Sequence, residues 1–135
     1  MKQTSITLRK RPKGFHLITD EVLNALGPLP SVGVLHLFIQ HTSAALAVNE
    51  NADPTVRDDL NTSFDRLAPE GPMYKHDDEG PDDMPAHVKS VLAGSSISVP
   101  ISGGKLALGT WQGLYLCEFR LHAGERKLVA TILGA

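Results

Sequence analysis

A mainly β, α+β domain is predicted: a β-sandwich decorated with two or three short helices. Segments with strand-type alternation cluster at both ends of the chain, and helical patterns lie between them as insertions. A Gly103-Gly104 pair between two alternating apolar runs reads as a two-residue hairpin turn. At 135 residues the chain suffices for one core and not for two, so residues 1–135 are read as a single domain.

Taken in order, residues 3–9 alternate, with Thr4, Ile6 and Leu8 set against Ser5, Thr7 and Arg9, a half-buried strand. Pro12-Lys13-Gly14 turns the chain, and Phe15 to Ile18 form a second short strand. Thr19 or Asp20 caps a brief helix, DEVLNAL, which Gly27 and Pro28 end. The run GVLHLFIQ from Gly33 is apolar on both faces and is expected as a central strand covered on each side. His41-Thr42-Ser43 joins it to another strand, SAALAVN. Asp53-Pro54 opens the clearest helix: Asp caps, Pro takes the first helical position, and Val56, Leu60, Phe64 and Leu67 form a stripe. A helix from Pro85 to Leu92 stops at Gly94. Ile97, Val99 and Ile101 alternate before the hairpin turn, and Leu106 and Leu108 continue on the return. Gln112 to Leu121 and Lys127 to Leu133 are the last strands, joined by a turn at Ala123-Gly124.

Composition excludes several classes. A net charge of −2, with no basic run, argues against nucleic acid or anionic lipid as partner. No apolar run is long enough to span a bilayer, and MKQTSITLRK lacks a signal-peptide core. The single cysteine, Cys117, cannot form an internal disulfide and suits a reducing compartment, so a cytoplasmic protein is expected.

Chemistry concentrates in YKHDDEGPDDMPAHV, Tyr74 to Val88, which holds two histidines and five carboxylates. Ordering so long and polar a segment costs entropy, which a functional site would justify. His76 and His87 straddle the Gly80-Pro81 turn, and His41 lies in the strand joint. Three imidazoles leave a position open on a zinc ion, so His41, His76 and His87 are the candidate metal ligands, although their spacing matches no HExxH signature. Asp83 and His87, four apart, share a helix face, where the carboxylate can orient the ring; Asp83 also suits the helix cap. Asp77, Asp78, Glu79 and Asp82 can hold a divalent cation or stay solvated. In NENADP, Glu50 is the candidate acid or base beside a helix start. His36, between two leucines, reads as structural. Ser43 lacks a GxSxG elbow and Cys117 lacks an activating neighbour, which disfavours nucleophilic catalysis. Trp111 in GTWQ is expected in the core. Glu118 and Arg120 share a strand face and are expected to pair with each other or with another subunit.

HTSAAL, NENADP, HDDEGPDDMPAHVKS and LGTWQGLYLCEFR, in that order, resemble the YjbQ family (UPF0047) over almost the whole chain. The resemblance implies a compact β fold assembled as a homotrimer, and a secondary thiamine-phosphate synthase activity. In that reaction a thiazole phosphate alcohol displaces pyrophosphate from hydroxymethylpyrimidine diphosphate. The family's polar motif positions fall on His41, Glu50, Asp53, His76, Asp82, Asp83, His87, Trp111 and Gln112. Where many relatives read EHR this chain has Glu118-Phe119-Arg120, so no histidine acts there. The chemistry calls for a divalent metal, zinc or magnesium, and for cations at the phosphates, for which Arg57, Lys75, Lys89 and Arg120 are the candidates.

Two function classes result. One is a transferase whose pocket holds a metal on His41, His76 and His87, with Glu50, Asp83 and His87 catalytic and a small molecule as substrate. The other is a small-molecule or metal-binding protein, or a metal-assisted hydrolase without a Gly-rich phosphate cradle.

Overall fold

The computed structural model describes residues 1–135. Its elements run β1 (Lys2–Leu8), β2 (Gly14–Leu17), α1 (Thr19–Leu26), β3 (Val32–Ile39), β4 (Ala44–Glu50), α2 (Pro54–Leu67), α3 (Asp83–Ala93), β5 (Ser96–Ser102), β6 (Lys105–Leu106), β7 (Gln112–Glu118) and β8 (Arg126–Gly134). One sheet has five strands in the order β1-β8-β3-β5-β6 and the other three, β2-β7-β4. Every pairing is antiparallel.

Strand alternation builds the sandwich. Leu35, Leu37 and Ile39 of β3, with Leu128, Ala130 and Ile132 of β8, face Leu46 of β4 and Leu114 and Leu116 of β7. Ile18, Val22 and Leu26 close one side of this cluster. Each of the leucines, isoleucines and the valine contributes about 1.5–3 kcal/mol on burial. The alternate residues of β7, Tyr115 and Cys117, pack with Phe15, Ala45, Ala86 and Phe119 in a second cluster, against which Leu60 and Phe64 lie. β7 is therefore buried on both faces, between the five-stranded sheet and the layer formed by α2 and α3.

That placement corrects one expectation. β3 is central within its sheet, but only one of its faces is covered: Val32, Val34 and Phe38 are exposed. The helices cover the three-stranded sheet, so the strand apolar on both faces and buried on both is β7. Trp111, expected in the core, is 66% exposed in the bend before β7, where Gly109 N–H donates to the Gln112 side chain. Leu67 is likewise exposed.

The α2 start is as predicted, with Asp53 accepting from Thr55 N–H at 2.9 Å and Pro54 following. Two other caps differ. α1 begins after Ile18, and the Thr19 hydroxyl accepts instead from Leu114 N–H. α3 starts two residues earlier than predicted, so Asp83 lies in its first turn and makes no cap bond.

Candidate metal centre

Five segments converge at one end of the sandwich. They are the end of β7, the β3–β4 joint, the start of β8, the first turns of α3 and the loop carrying His76. Gly80, at φ 104°, takes a conformation that favours glycine, and its carbonyl accepts from Asp83 N–H at 3.3 Å. This turn brings His76 back onto the face of α3 that carries Asp83 and His87.

Asp83 Oδ2 is the focus. His76 Nε2 lies 2.7 Å from it and His87 Nε2 3.2 Å, and the two imidazole centroids are 5.5 Å apart. His87 Nδ1 donates to Thr42 O at 2.9 Å. A carbonyl only accepts, so the proton of neutral His87 sits on Nδ1 and its Nε2 lone pair faces a carboxylate oxygen. Two lone pairs in opposition need a cation between or beside them. His76 supplies one when protonated; a divalent ion is the other solution. Tetrahedral zinc with bonds of 2.0–2.1 Å separates its ligand atoms by roughly 3.3 Å. The three ligand atoms already lie within 4.8 Å of one another, so small side-chain shifts suffice. Two nitrogens and one oxygen suit zinc better than magnesium, which favours an all-oxygen shell.

The electrostatics agree. The hydrogen bond to Asp83 raises the His76 pKa above the ordinary histidine value, against the opposing effect of burial. Burial pushes Asp83 up, but the His76 bond and the charges of His87 and Arg120 outweigh it and hold the carboxyl below the usual range. Asp82 is likewise raised by burial and lowered further by Leu121 N–H and Arg120. In metal-free protein, imidazole NMR is expected to show His76 titrating above about 6.5, and Asp83→Asn to bring it down. The sign follows. The ion pair's stabilisation is full below about pH 6.5 and is lost as pH rises through the folded His76 value.

A family model described as "UPF0047 protein YjbQ-like" matches residues 4–135. The chain belongs to that family. "UPF0047 protein YjbQ" of Salmonella typhimurium is 52% identical over 134 residues, 98% of this chain and 97% of that one. The Escherichia coli O157:H7 protein of the same name is 49% identical with the same coverage. Among solved structures, hypothetical protein APE1520 from Aeropyrum pernix superposes with a TM-score of 0.84 at 31% identity, covering all of both chains. Conserved hypothetical protein TT1486 from Thermus thermophilus gives 0.84 at 34% identity, covering 96% of this chain and 98% of that one.

In this YjbQ-like chain the predicted residues divide into two groups. His76, Asp83 and His87 meet. His41 does not join them as a ligand: its Nε2 accepts from Lys127 N–H at 2.8 Å, and Arg126 Nη1 stands 3.3 Å from Nδ1. The Lys127 amide takes the Nε2 lone pair, and burial followed by the Arg126 charge lowers the His41 pKa below the ordinary histidine value. It instead lines a hollow of about 420 Å³ with Thr42, His87, Ser90, Val91, Gly94 and Ser95. Beside it runs an apolar strip on α3 made by Met84, Val88, Val91 and Leu92.

Glu50 lies at the far end of β4, six residues and roughly 20 Å from Ala44. Its carboxylate accepts from Ala52 N–H at 2.9 Å, organising the turn into α2, so it is not an acid or base for the His76–His87 site. Arg57 sits on α2, with a buried Nη1 that has no partner. Lys89 is buried and pairs with Asp65 at 2.6 Å, beside Lys13. Lys75 and the Asp77–Glu79 carboxylates are exposed. The Arg120 guanidinium is not paired with Glu118; it binds Asp82, Asp83 and the Glu79 carbonyl. The largest cleft, about 640 Å³, lies among Arg9, Arg11, Thr19, Asn51 and Gln112 and includes none of the three histidines.

Sequence reasoning missed Arg126. Its guanidinium grips Glu118 through two bonds of 2.7 and 2.6 Å and also reaches Ser43 Oγ at 3.0 Å. The available signal was parity: Glu118 shares the inward face of β7 with Leu114 and Leu116, and a charge there needs a buried partner.

Proposed function

We propose that the protein is an enzyme acting on a small molecule at a divalent-metal site held by His76, Asp83 and His87, with zinc as the ion. One observation carries this reading. In neutral His87 the Thr42 bond turns the Nε2 lone pair toward the carboxylate oxygen that His76 also faces. A bound ion would supply Lewis-acid polarisation of a substrate oxygen. Asp83 and the two imidazoles hold the centre, Thr42 fixes the His87 tautomer, and neutral His41 forms the polar wall of the adjoining hollow. The exposed strip on α3 offers an apolar surface to the rest of the substrate.

Thiamine phosphate synthesis belongs to this proposal as a weak activity. Departing pyrophosphate needs cations, and Lys89 and Arg120 already carry carboxylate partners. Elemental analysis of purified protein is expected to find one zinc per chain. Incubation with hydroxymethylpyrimidine diphosphate and thiazole phosphate should give slow product formation that a chelator abolishes. Protein that binds no divalent ion, with turnover indifferent to chelation, would remove the metal-enzyme reading. A ligand that raises Tm without being turned over would favour a binding protein.

The same proposal includes a homotrimer. Its support is the open face of the five-stranded sheet, where Val32, Val34, Phe38 and Leu133 are exposed. Phe38→Asp is expected to reduce the sedimenting species from trimer to monomer while leaving the far-ultraviolet circular dichroism unchanged. A cytoplasmic setting completes it, supported by a single cysteine, Cys117, that has no disulfide partner. No helix is long and apolar enough to cross a membrane.

A further inference from the structure

Resting on that metal reading, we infer that Glu118 and Arg120 are positioning residues that hold the two halves of the centre in register from a single strand end. At the end of β7 the ring between them, Phe119, is fixed in the opposite direction. It stacks on Phe64 at 5.6 Å and meets Phe15 edge-on at 6.0 Å. With that ring locked, the polar residues on either side have fixed origins.

Arg120 holds the half that carries His76 and Asp83. Nε donates to Asp82 Oδ2 at 2.9 Å, Nη1 to Asp83 Oδ1 at 2.5 Å and Nη2 to Glu79 O at 3.0 Å. Asp82 Oδ2 also accepts from Leu121 N–H at 2.9 Å, so the first turn of α3 is tied to this strand end by side chain and backbone alike. By occupying Asp83 Oδ1, the guanidinium leaves Oδ2 for the two imidazoles. One planar fork serving three acceptors is a task for arginine; a lysine ammonium is a point donor without that geometry.

Glu118 holds the other half. Its two oxygens accept from Arg126 Nε and Nη2, and Oε2 also accepts from Arg120 N–H at 3.2 Å. Arg126 Nη2 passes the constraint to Ser43, through its hydroxyl at 3.0 Å and its carbonyl at 3.3 Å. Ser43 follows Thr42, whose carbonyl fixes His87. Glu118 is wholly buried, so this route has no solvent to blur it. Neither residue reaches the metal position directly; each acts through a ligand or its support.

The test uses cobalt(II) as probe on the full-length protein. Arg120→Ala and Arg120→Lys are both expected to weaken cobalt binding by about 10–100-fold, the range for a lost supporting partner. Both should also shift the visible d–d bands, and millimolar guanidinium should restore them in Arg120→Ala. Wild-type affinity and bands in either variant overturn the inference. Arg120→Lys keeps the test decisive if circular dichroism shows that Arg120→Ala does not fold. A second readout needs no metal: the slowly exchanging Nε2–H signal of His76 should be seen in wild type and lost in Arg120→Lys. Wild-type protein that binds no cobalt defeats the function reading alone. Positioning is then judged by the His76 signal, and its persistence in Arg120→Lys overturns it.

Discussion

His87→Ala is expected to lower zinc affinity on the order of 10²–10³-fold, read by competition with a chromophoric chelator, while His41→Ala changes it by no more than about threefold. The contrast follows from the ring nitrogens. His87 Nε2 has no backbone partner and lies 3.2 Å from Asp83 Oδ2, whereas His41 Nε2 accepts from the Lys127 amide. Removing His87 leaves two protein ligands, too few to hold zinc against water. His76→Ala should resemble His87→Ala, since its Nε2 is 2.7 Å from the same oxygen. Equal losses in the His41 and His87 variants would instead mean that the imidazoles rearrange to a three-histidine site, and the geometry proposed above would be wrong.

Glu118→Ala is expected to lower Tm by roughly 10–20 °C, followed by circular dichroism at pH 7. Glu118 is 0% exposed and Arg126 6%, with bidentate bonds between them, so truncating one leaves a buried charge without its partner. Breaking such a pair costs about 3–5 kcal/mol, and a domain of this size loses a few degrees per kcal/mol. Replacing both partners by methionine should cost less than either single change, because no unpaired charge remains. A Tm within about 3 °C of wild type for Glu118→Ala would show that water reaches Arg126. Acid acts on the neighbouring His41 in the opposite sense to His76. Its folded pKa is lowered, so stability here is full above about pH 6.5 and falls as pH drops through the folded value.

Much of the fold was legible. The alternation at Ile6 and Leu8, at Val99 and Ile101, and through Lys127 to Leu133 placed strands where the structure has β1, β5 and β8. Asp53-Pro54 marked α2 because capping is local chemistry between neighbours. The sidedness of the strands was harder to read. β3 and β7 are both apolar on two faces in the sequence, and only the docking of α2 and α3 determines which is covered twice. Trp111 misled for the same reason, since a side chain's burial depends on what packs over it.

The candidate site divides along the same line. Asp83 and His87 were readable together because a helix repeats every 3.6 residues and places i and i+4 on one face. His76 was implicated by the polarity of its loop, and the Gly80 turn delivers it. Nothing in the spacing could show that the Nε2 of His41 is occupied or that Arg120 is a clamp rather than a phosphate ligand. Those facts depend on partners 37 to 86 residues away in the chain.

By itself the sequence determined the strand and helix content, the family and the His76–Asp83–His87 segment, because these follow from short-range periodicity and capping and from motif order. Tertiary structure alone decided which groups are free to bind. A donor or acceptor is free only if no other group has been folded against it, and for His41, Lys89, Arg120 and Glu118 the competing partner comes from elsewhere in the chain or from a folded backbone amide.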